Sequence, residues 1–268
     1  MFALKGSQGR RALADLWHAL RYPDLWVLLG WQDIRQRYRR SMLGPFWLTI
    51  STGVMVIALG FVYASIFRQP IDEYLPYLAA GLVIWSFIAG TVTEGCQTFI
   101  ASEGIIKQIR VPLFTHVMRV VWRNFIILCH NAVIIVAVVA IFLPANALAT
   151  LALAIPALVL LILTMGWITL LVGMFSARFR DIPQIVTNIL QLMFFLTPII
   201  WHPSLLPGRN RVVLLNPLYH MVEIVRAPLL GKMPGAATWI AVGVMGAIGW
   251  ILAALLFRQF RRRIAYWV

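Results

Sequence analysis

Acidic residues are scarce in this sequence, and charged residues of either sign are few. The 268 residues include 9 Asp and Glu against 23 Lys and Arg, and charged residues make up only 12% of the chain. Apolar residues make up 61%, whereas a soluble globular domain is nearer half apolar and a quarter charged. Because the apolar excess lies in long runs, the composition predicts a polytopic membrane protein. Basic loops beside membrane spans explain the net charge of +14 better than a surface that binds nucleic acid.

Several catalytic and metal-binding patterns are also missing. The sequence has no GxxxxGK[ST] phosphate loop and no HExxH, GxSxG or paired-cysteine pattern. Cys96 and Cys129 lie in apolar surroundings, which favours small buried thiols over a disulfide. The histidines are scattered, and we expect His116 and His130 to be packed or interfacial side chains rather than metal ligands.

Carboxylates are nearly absent from the centres of the apolar runs, with Glu94 near the end of one run. A proton-coupled transporter usually needs a titratable group at membrane depth, and a membrane hydrolase or transferase needs a base or nucleophile. We therefore expect a transport subunit that is not itself an enzyme and has no cofactor of its own. A separate subunit would supply the energy.

Six segments are long and apolar enough to cross a bilayer, which takes about 20 residues. They are Phe46–Phe67, Tyr74–Thr98, Phe114–Leu143, Leu148–Phe175, Ile182–Trp201 and Trp239–Phe257. We predict an all-α membrane protein with six transmembrane helices in a single domain, residues 1–268. Cytoplasmic interfacial helices would occupy residues 1–44, the spans would lie within 46–257, and a cytoplasmic tail would follow at 258–268.

Lys and Arg are distributed unequally between the two sides of this arrangement. With a cytoplasmic N-terminus, 18 of the 23 Lys and Arg fall in inner segments, as the positive-inside rule requires. Both termini are then cytoplasmic. The arginines that follow Asp33 would anchor the first span at an anionic leaflet.

Two further helices are predicted before the first span. An amphipathic stripe repeats at i, i+3, i+4 and i+7, formed by Leu13, Leu16, Trp17 and Leu20. Tyr22-Pro23-Asp24 breaks this helix, and a second helix runs from Asp24 into the arginines. We expect this region to lie along the inner face of the membrane.

The outer segment between spans five and six is also predicted to contain a short amphipathic helix, which would be re-entrant or lie near the outer surface. Asn216-Pro217 has the pattern of an N-cap followed by proline in the first turn. The apolar stripe behind it consists of Leu218, Met221, Val222 and Val225. Pro228 and Gly231 would end the helix.

The cytoplasmic segment ASEGIIKQIRVP, between spans two and three, has a helical pattern. Ile105, Ile106 and Ile109 fall on one face, and Pro112 would end the helix. An exposed isoleucine face predicts a docking surface for another protein. The alternative is an interfacial helix packed on lipid.

The sequence also resembles a known family. The run QDIRQRYRRSMLGPFW (Gln32–Trp47) is similar to the motif that precedes the first span in ABC-type polysaccharide export permeases, which export O-antigen, capsular polysaccharide or teichoic acid. Further blocks in the same order are Tyr74–Phe87, Ile105–Pro112, Phe179–Trp201 and Leu215–Gly231. The likeness is to the O-antigen export branch above all.

The resemblance implies a permease of the bacterial inner membrane that works as a homodimer. Two copies of a separate ATPase, which binds ATP and Mg, would dock below the pore. The substrate would be a long polysaccharide on an undecaprenyl diphosphate carrier. The residues expected to contact the ATPase are Glu103, Ile105, Ile106, Lys107, Ile109, Arg110, Arg178 and Asp181.

The arginine cluster gains a second interpretation from this resemblance. An arginine guanidinium pairs well with phosphate oxygens, so the cluster would lie where the diphosphate of the carrier enters. The residues concerned are Arg35, Arg37, Tyr38, Arg39 and Arg40. The same arginines would serve as a topological anchor without any substrate, and both interpretations stay open.

A channel for sugars would benefit from aromatic walls, because sugars present flat C–H faces that pack on rings. The candidates are Trp47, Tyr63, Trp85, Phe194, Phe195 and Trp201. The alternative for each is an interfacial or lipid-facing aromatic. Two other functions also stay open: an ABC-type permease for a drug or small lipid, and a membrane enzyme of glycan assembly.

Overall fold

A computed structural model of the chain describes residues 14–39, 44, 46–109, 111–142, 149–205 and 213–268. No strand occurs among these residues, and the predicted all-α class is confirmed. Helix α1 covers residues 14–21. The helices that follow are α2 Pro23–Arg37, α3 Phe46–Phe67, α4 Ile71–Cys96, α5 Glu103–Gln108, α6 Leu113–Phe142, α7 Leu151–Arg178, α8 Ile182–Leu196, α9 Pro217–Leu229 and α10 Ala236–Trp267.

Five of these helices are long and apolar enough to span a membrane. They are α3, α4, α6, α7 and α10, with 22 to 32 residues each. At about 1.5 Å per residue, each exceeds the hydrocarbon thickness of about 30 Å. Five of the predicted spans are thereby matched by helices. Helix α10 continues without a break through most of the segment predicted as a tail.

The segment predicted as the fifth span differs from the expectation. Helix α8 has 15 residues and ends at Leu196, so it measures about 22 Å. Thr197 already has an extended conformation with ψ 133°, because the residue before a proline, here Pro198, is disfavoured in the helical region. A single helix over Ile182–Trp201 was therefore wrong, and residues 197–201 are non-helical.

Helix α4 lies at the centre of the bundle. Most of its middle residues are buried, and the helix packs against α7, where Leu161 and Met165 are fully buried. The two helices approach one another closely at Gly173, where a Cβ atom would lie 3.1 Å from the carbonyl oxygen of Gly95. Small residues permit such close packing of membrane helices. In contrast, most of α3 is exposed.

The cysteines take different environments. Cys96 at the end of α4 is buried, as predicted, whereas Cys129 on α6 is exposed. Burial of Cys129 was therefore a wrong expectation. Both thiols are free.

One end of the bundle, here called the arginine end, is held by polar contacts among α1, α6 and α10. Asp15 has a fully buried carboxylate. It accepts hydrogen bonds from the backbone N–H of Phe114 at 3.0 Å and from Arg261 Nε at 2.7 Å. The contact with Phe114 satisfies a free N–H in the first turn of α6. Asp15 therefore joins the N-terminal helix to both long helices.

The opposite end, here called the tyrosine end, is built around Tyr77 and Arg226. The Tyr77 hydroxyl donates to the carbonyl oxygen of Pro198 at 2.8 Å. Arg226 Nη1 donates to the same oxygen at 2.6 Å, and its guanidinium lies 4.0 Å from the centre of the Tyr77 ring. Arg226 is 1% exposed and pairs with Glu223.

Helix α9 at the tyrosine end begins as predicted. The Asn216 side chain accepts hydrogen bonds from the backbone N–H groups of Leu218 and Tyr219. Met221 and Val222 are buried, so the apolar stripe packs on the bundle. Gly231 adopts φ 76° just after the helix, a conformation that glycine tolerates without strain.

Candidate functional site

A groove of about 800 Å³ runs between α3, α4 and α8. Its wall on α4 repeats at helical spacing through Leu82, Trp85 and Ala89. Its polar lining consists of Thr52, Ser86, Thr93, Glu94, Thr187 and Gln191. The groove therefore combines aromatic and apolar faces with hydroxyl, amide and carboxylate groups.

Three of the six predicted channel aromatics meet in this groove. Trp85 and Phe194 lie 5.7 Å apart between ring centres, and Phe194 and Phe195 lie 5.4 Å apart. Helix α8 presents the two phenylalanines and α4 presents the tryptophan. The wall has the flat apolar faces that a sugar ring or an acyl chain packs against.

The other three aromatics lie outside the groove. Trp47 is 55% exposed at the start of α3. Tyr63 stacks on Phe67 at 5.6 Å. Trp201 donates its Nε1 hydrogen to the carbonyl oxygen of Phe195 at 2.9 Å, which holds the segment after α8 without lining the groove.

An ionic cluster lies at the arginine end, where the groove reaches Glu94. It consists of Asp33, Arg37, Glu94, Arg119 and Arg123. Asp33 accepts from Arg119 Nε at 2.8 Å and from Arg123 Nη1 at 2.6 Å. Glu94 accepts from Arg123 Nη2 at 2.6 Å and from Arg37 Nη2 at 2.7 Å. Arg123 on α6 therefore bridges α2 and α4.

The sequence reasoning counted these arginines for topology but did not pair them with the carboxylates. Charged residues at the ends of apolar segments are the signal that could have identified the cluster. Burial alone would raise the pKa of Asp33, but the guanidinium groups of Arg119 and Arg123 hold the pKa of Asp33 below its usual value. Asp33 therefore stays ionised at neutral pH and holds α2 against α6.

The basic residues predicted at the diphosphate entrance divide into two groups. Arg35, Tyr38 and Arg39 line a concave surface of about 970 Å³ along α2. Arg37 instead turns to Glu94 within the ionic cluster. Arg40 lies outside the described residues.

The predicted coupling helix is shorter than expected. Helix α5 ends at Gln108, and Ile109 adopts φ −125° and ψ 135°, so a helix running through Ile109 was wrong. The extended Ile109 lies close to Pro112, whose predecessor is also disfavoured in the helical region. Ile109 is 59% exposed. Arg110 lies outside the described residues.

The remaining coupling residues differ in exposure. Glu103 and Lys107 are exposed and form an ion pair of 2.6 Å one helical turn apart. The bond from Lys107 is the main cause of a lowered pKa of Glu103. Ile105 is half-buried, and Ile106 packs against the core of the bundle beside α10.

The turn between α7 and α8 lies at the same end. Arg178 and Asp181 are exposed, and the Arg178 guanidinium lies 5.8 Å from the ring centre of Trp267. Arg180 donates to the carbonyl oxygen of Trp267 at 3.4 Å. The end of α10, which the sequence analysis did not single out, therefore belongs to the same surface.

Comparisons with known proteins cover most of the chain. The O-antigen export system permease protein RfbA of Klebsiella pneumoniae is 25% identical over 247 residues, which is 90% of this chain and 94% of that protein. The protein of the same name from Myxococcus xanthus is 23% identical over 250 residues, 91% of this chain and 95% of that protein. The profile described as ABC-2 type transporter matches residues 24–230. This match includes α2, the groove and the ionic cluster, and the chain belongs to the ABC-2 type transporter family.

Proposed function

We propose that the chain is the transmembrane permease subunit of an ATP-driven exporter that moves lipid-linked O-antigen polysaccharide across the bacterial inner membrane. The observation that carries the proposal is the family match over residues 24–230, together with the similarity to two O-antigen export permeases, which match over nearly their whole length. The groove supplies a surface that suits this cargo.

The lining of the groove supports a polysaccharide better than a purely apolar cargo. Sugars have apolar C–H faces that pack on rings such as Trp85 and Phe194. They also carry hydroxyl groups, which the Thr187 hydroxyl and Gln191 amide can bind. A moving polymer needs weak, repeated contacts of both kinds.

A second copy of the chain would close the groove into a channel. Helix α3 forms one wall, and its outer face exposes large apolar side chains along its length, including Val54, Phe61 and Val62. Two grooves facing one another across α3 and α8 would enclose a path shielded from lipid. We therefore propose a homodimeric pore.

Six crossings are consistent with the contacts at the two ends of the bundle. Helix α8 begins just after Arg180, at the arginine end, and Pro198 accepts hydrogen bonds at the tyrosine end. The 15-residue helix of about 22 Å covers most of the hydrocarbon thickness of about 30 Å, and the non-helical residues 197–201 continue the chain to the tyrosine end. With the arginine end cytoplasmic, both termini are cytoplasmic.

The ATPase, with its ATP and Mg, would bind at the arginine end. Ile109, Arg178 and Asp181 offer one exposed apolar group and two opposite charges there. Helix α5 joins the ends of α4 and α6, and the ionic cluster ties both to α2. Closure of the ATPase would therefore move the groove wall on α4 and the entrance along α2 together.

The concave surface along α2 would receive the diphosphate of the carrier. Arg35 and Arg39 provide guanidinium groups, and Tyr38 provides a hydroxyl group. A guanidinium binds phosphate oxygens through paired hydrogen bonds. From there the polymer would pass into the neighbouring groove.

The proposal can be tested in bacteria that lack their own O-antigen permease but make the lipid-linked polymer. Production of this chain with its ATPase should restore polysaccharide at the cell surface, whereas the chain alone should not. Restored resistance to drugs, or movement of a short lipid without the polymer, would favour the rival permease function. Glycan synthesis by the purified chain would favour the membrane enzyme.

A further inference from the structure

A second pocket, of about 330 Å³, lies between the ends of α4 and α6, on the side that leads into α5. It is distinct from the concave surface along α2. Its polar lining includes Arg37, Glu94, Thr98, His116, Arg119 and Arg123. On α6 the residues at positions 116, 119 and 123 share one face, because they are separated by three and four residues.

Two buried side chains in this pocket are left without a partner. His116 is 1% exposed, and neither ring nitrogen has a hydrogen bond to any described residue. Thr98 is 3% exposed, and its hydroxyl also has no partner within the described part of the chain. An unsatisfied buried polar group is costly and uncommon. A pair of them lining the same pocket points to a polar ligand.

The charges around the pocket favour an anion. Arg37, Arg119 and Arg123 contribute three positive charges. The carboxylates that face them are Glu94, which lines the pocket, and Asp33, which approaches Arg119 and Arg123 from α2. Both carboxylates are already bound by arginines, so the three arginines and two carboxylates together keep an excess of one positive charge.

We propose that this pocket binds a phosphate-class oxyanion. Arg119 and Arg37 hold the charge, and the His116 and Thr98 side chains, which have no partner among the described residues, supply hydrogen bonds. The group can be a free phosphate or diphosphate, or the phosphate of an inner-leaflet lipid. The inference deepens the proposed function and rests on it for one point, the cytoplasmic orientation of this end.

Because of the position of the pocket, a bound anion would connect neighbouring helices. Thr98 lies two residues after α4, in the turn that leads to α5, while Arg37 belongs to α2. An anion held between them would tie the start of the coupling segment to the helix at the proposed entrance. Occupancy would therefore favour one arrangement of α2 and α5 over others.

The test uses the purified full-length chain in nanodiscs of zwitterionic phosphatidylcholine. Binding of inorganic phosphate and of diphosphate is measured by titration calorimetry and ³¹P NMR for the wild type, Thr98→Val and His116→Leu. We expect each substitution to weaken binding about tenfold, the effect of losing one hydrogen bond to a charged group. The control Arg21→Gln, an exposed arginine of α1 at the same end, should bind like the wild type.

The same variants distinguish a ligand site from a structural role. Because His116 and Thr98 have no partners to lose, the unfolding temperature without phosphate should not fall in Thr98→Val. A lowered unfolding temperature with unchanged phosphate affinity in both variants would overturn the proposal. So would absence of binding by the wild type to phosphate, diphosphate and lipid phosphate alike.

Nanodiscs that contain phosphatidic acid identify the source of the anion. A ³¹P signal of the lipid that shifts with the wild type but not with Thr98→Val supports a lipid headgroup. Binding only of the free ions supports a soluble phosphate. Export in cells is scored separately, so variants with wild-type phosphate affinity would refute the site and leave the proposed function standing.

Discussion

The two ends of the bundle both hold arginines in ion pairs, but they do so in different ways. At the tyrosine end, a single guanidinium, Arg226, is almost fully buried and fixed by Glu223, the Pro198 carbonyl and the Tyr77 ring. At the arginine end, three arginines share two carboxylates, and their side chains are 15% to 46% exposed. We expect the arrangement around Arg226 to stay fixed, because separating a buried charge from its partner has a high cost in free energy. The second has several partners and water nearby, so it can rearrange at lower cost.

This difference suits the proposed roles of the ends. The ATPase would act on the arginine end, where α5, α2 and the ends of α4 and α6 must move. The tyrosine end would keep the bundle together while they do. Each of the following predictions breaks or sharpens that contrast.

The largest effect is expected at the tyrosine end. Arg226→Met keeps most of the side-chain volume but leaves Glu223 without its ion-pair partner and removes one of the two donors to the Pro198 carbonyl oxygen. We expect a loss of about 3–5 kcal/mol in the free energy of unfolding, measured by denaturation of the purified chain. The matched control Lys232→Met removes an exposed charge at the same end and should change the free energy by less than about 0.5 kcal/mol. Equal losses in the free energy of unfolding for the two variants would show that Arg226 stabilises the tyrosine end no more than an exposed lysine does.

At the arginine end the substitution Arg123→Gln removes the bridge between Asp33 and Glu94. We expect a smaller loss of about 2 kcal/mol, because other arginines still contact both carboxylates. Hydrogen exchange of α2 should speed up while that of α9 stays unchanged. The control Arg35→Gln, on the exposed side of α2, should leave exchange of α2 as in the wild type. Slow exchange of α2 in Arg123→Gln would contradict the bridging role.

Assembly with the ATPase should depend on the exposed Ile109 more than on the packed Ile106. Ile109→Asp replaces an apolar contact by a charge, and we expect about tenfold weaker association in pull-down titrations. Gln108→Asp places the same charge on an adjacent exposed residue, and should weaken association less. If the two variants bind the ATPase equally well, Ile109 is not part of the docking surface.

The groove predicts a graded effect on export. Phe194→Ala removes a ring beside Trp85, and should reduce the rate of polysaccharide export severalfold through loss of about 1 kcal/mol of aromatic packing. Trp47→Ala removes a larger ring outside the groove and should reduce export less. The rates are measured with matched amounts of protein in the membrane. If Trp47→Ala reduced the export rate more than Phe194→Ala, the channel would lie at the start of α3 and not in the groove.

The smallest effect concerns pH. Because the pKa of Asp33 is lowered in the folded chain, the stability from Asp33 is complete above the ordinary carboxyl pKa of about 4 and is lost as pH falls through the folded value. The intrinsic rate of amide exchange itself slows as pH falls from about 5 to about 3, so we expect the exchange of α2 in the purified chain to become faster relative to that intrinsic rate. Asp33→Asn should have faster exchange already at pH 5 and no further specific change.

Much of the fold follows from local sequence, and much of the site does not. Continuous apolar runs predicted the five long helices, and Asn216-Pro217 predicted the start of α9, because these signals lie within a few residues of their effects. The end of α8 required weighing Pro198 against an apolar run that continues past it. The ionic cluster joins residues up to 90 positions apart, which no local pattern reveals. The same is true of the aromatics, since only the packing of α3, α4 and α8 separates Trp85 and Phe194 from Trp47.

The most direct test of the account is export into proteoliposomes. The chain and its ATPase are reconstituted together with fluorescent lipid-linked O-antigen polymer, and the polymer that reaches the far side is measured with and without ATP. The account predicts transport that needs both ATP and the ATPase and that falls with Ile109→Asp. Equal transport by the chain alone, without nucleotide, would contradict the claim that force enters through the arginine end.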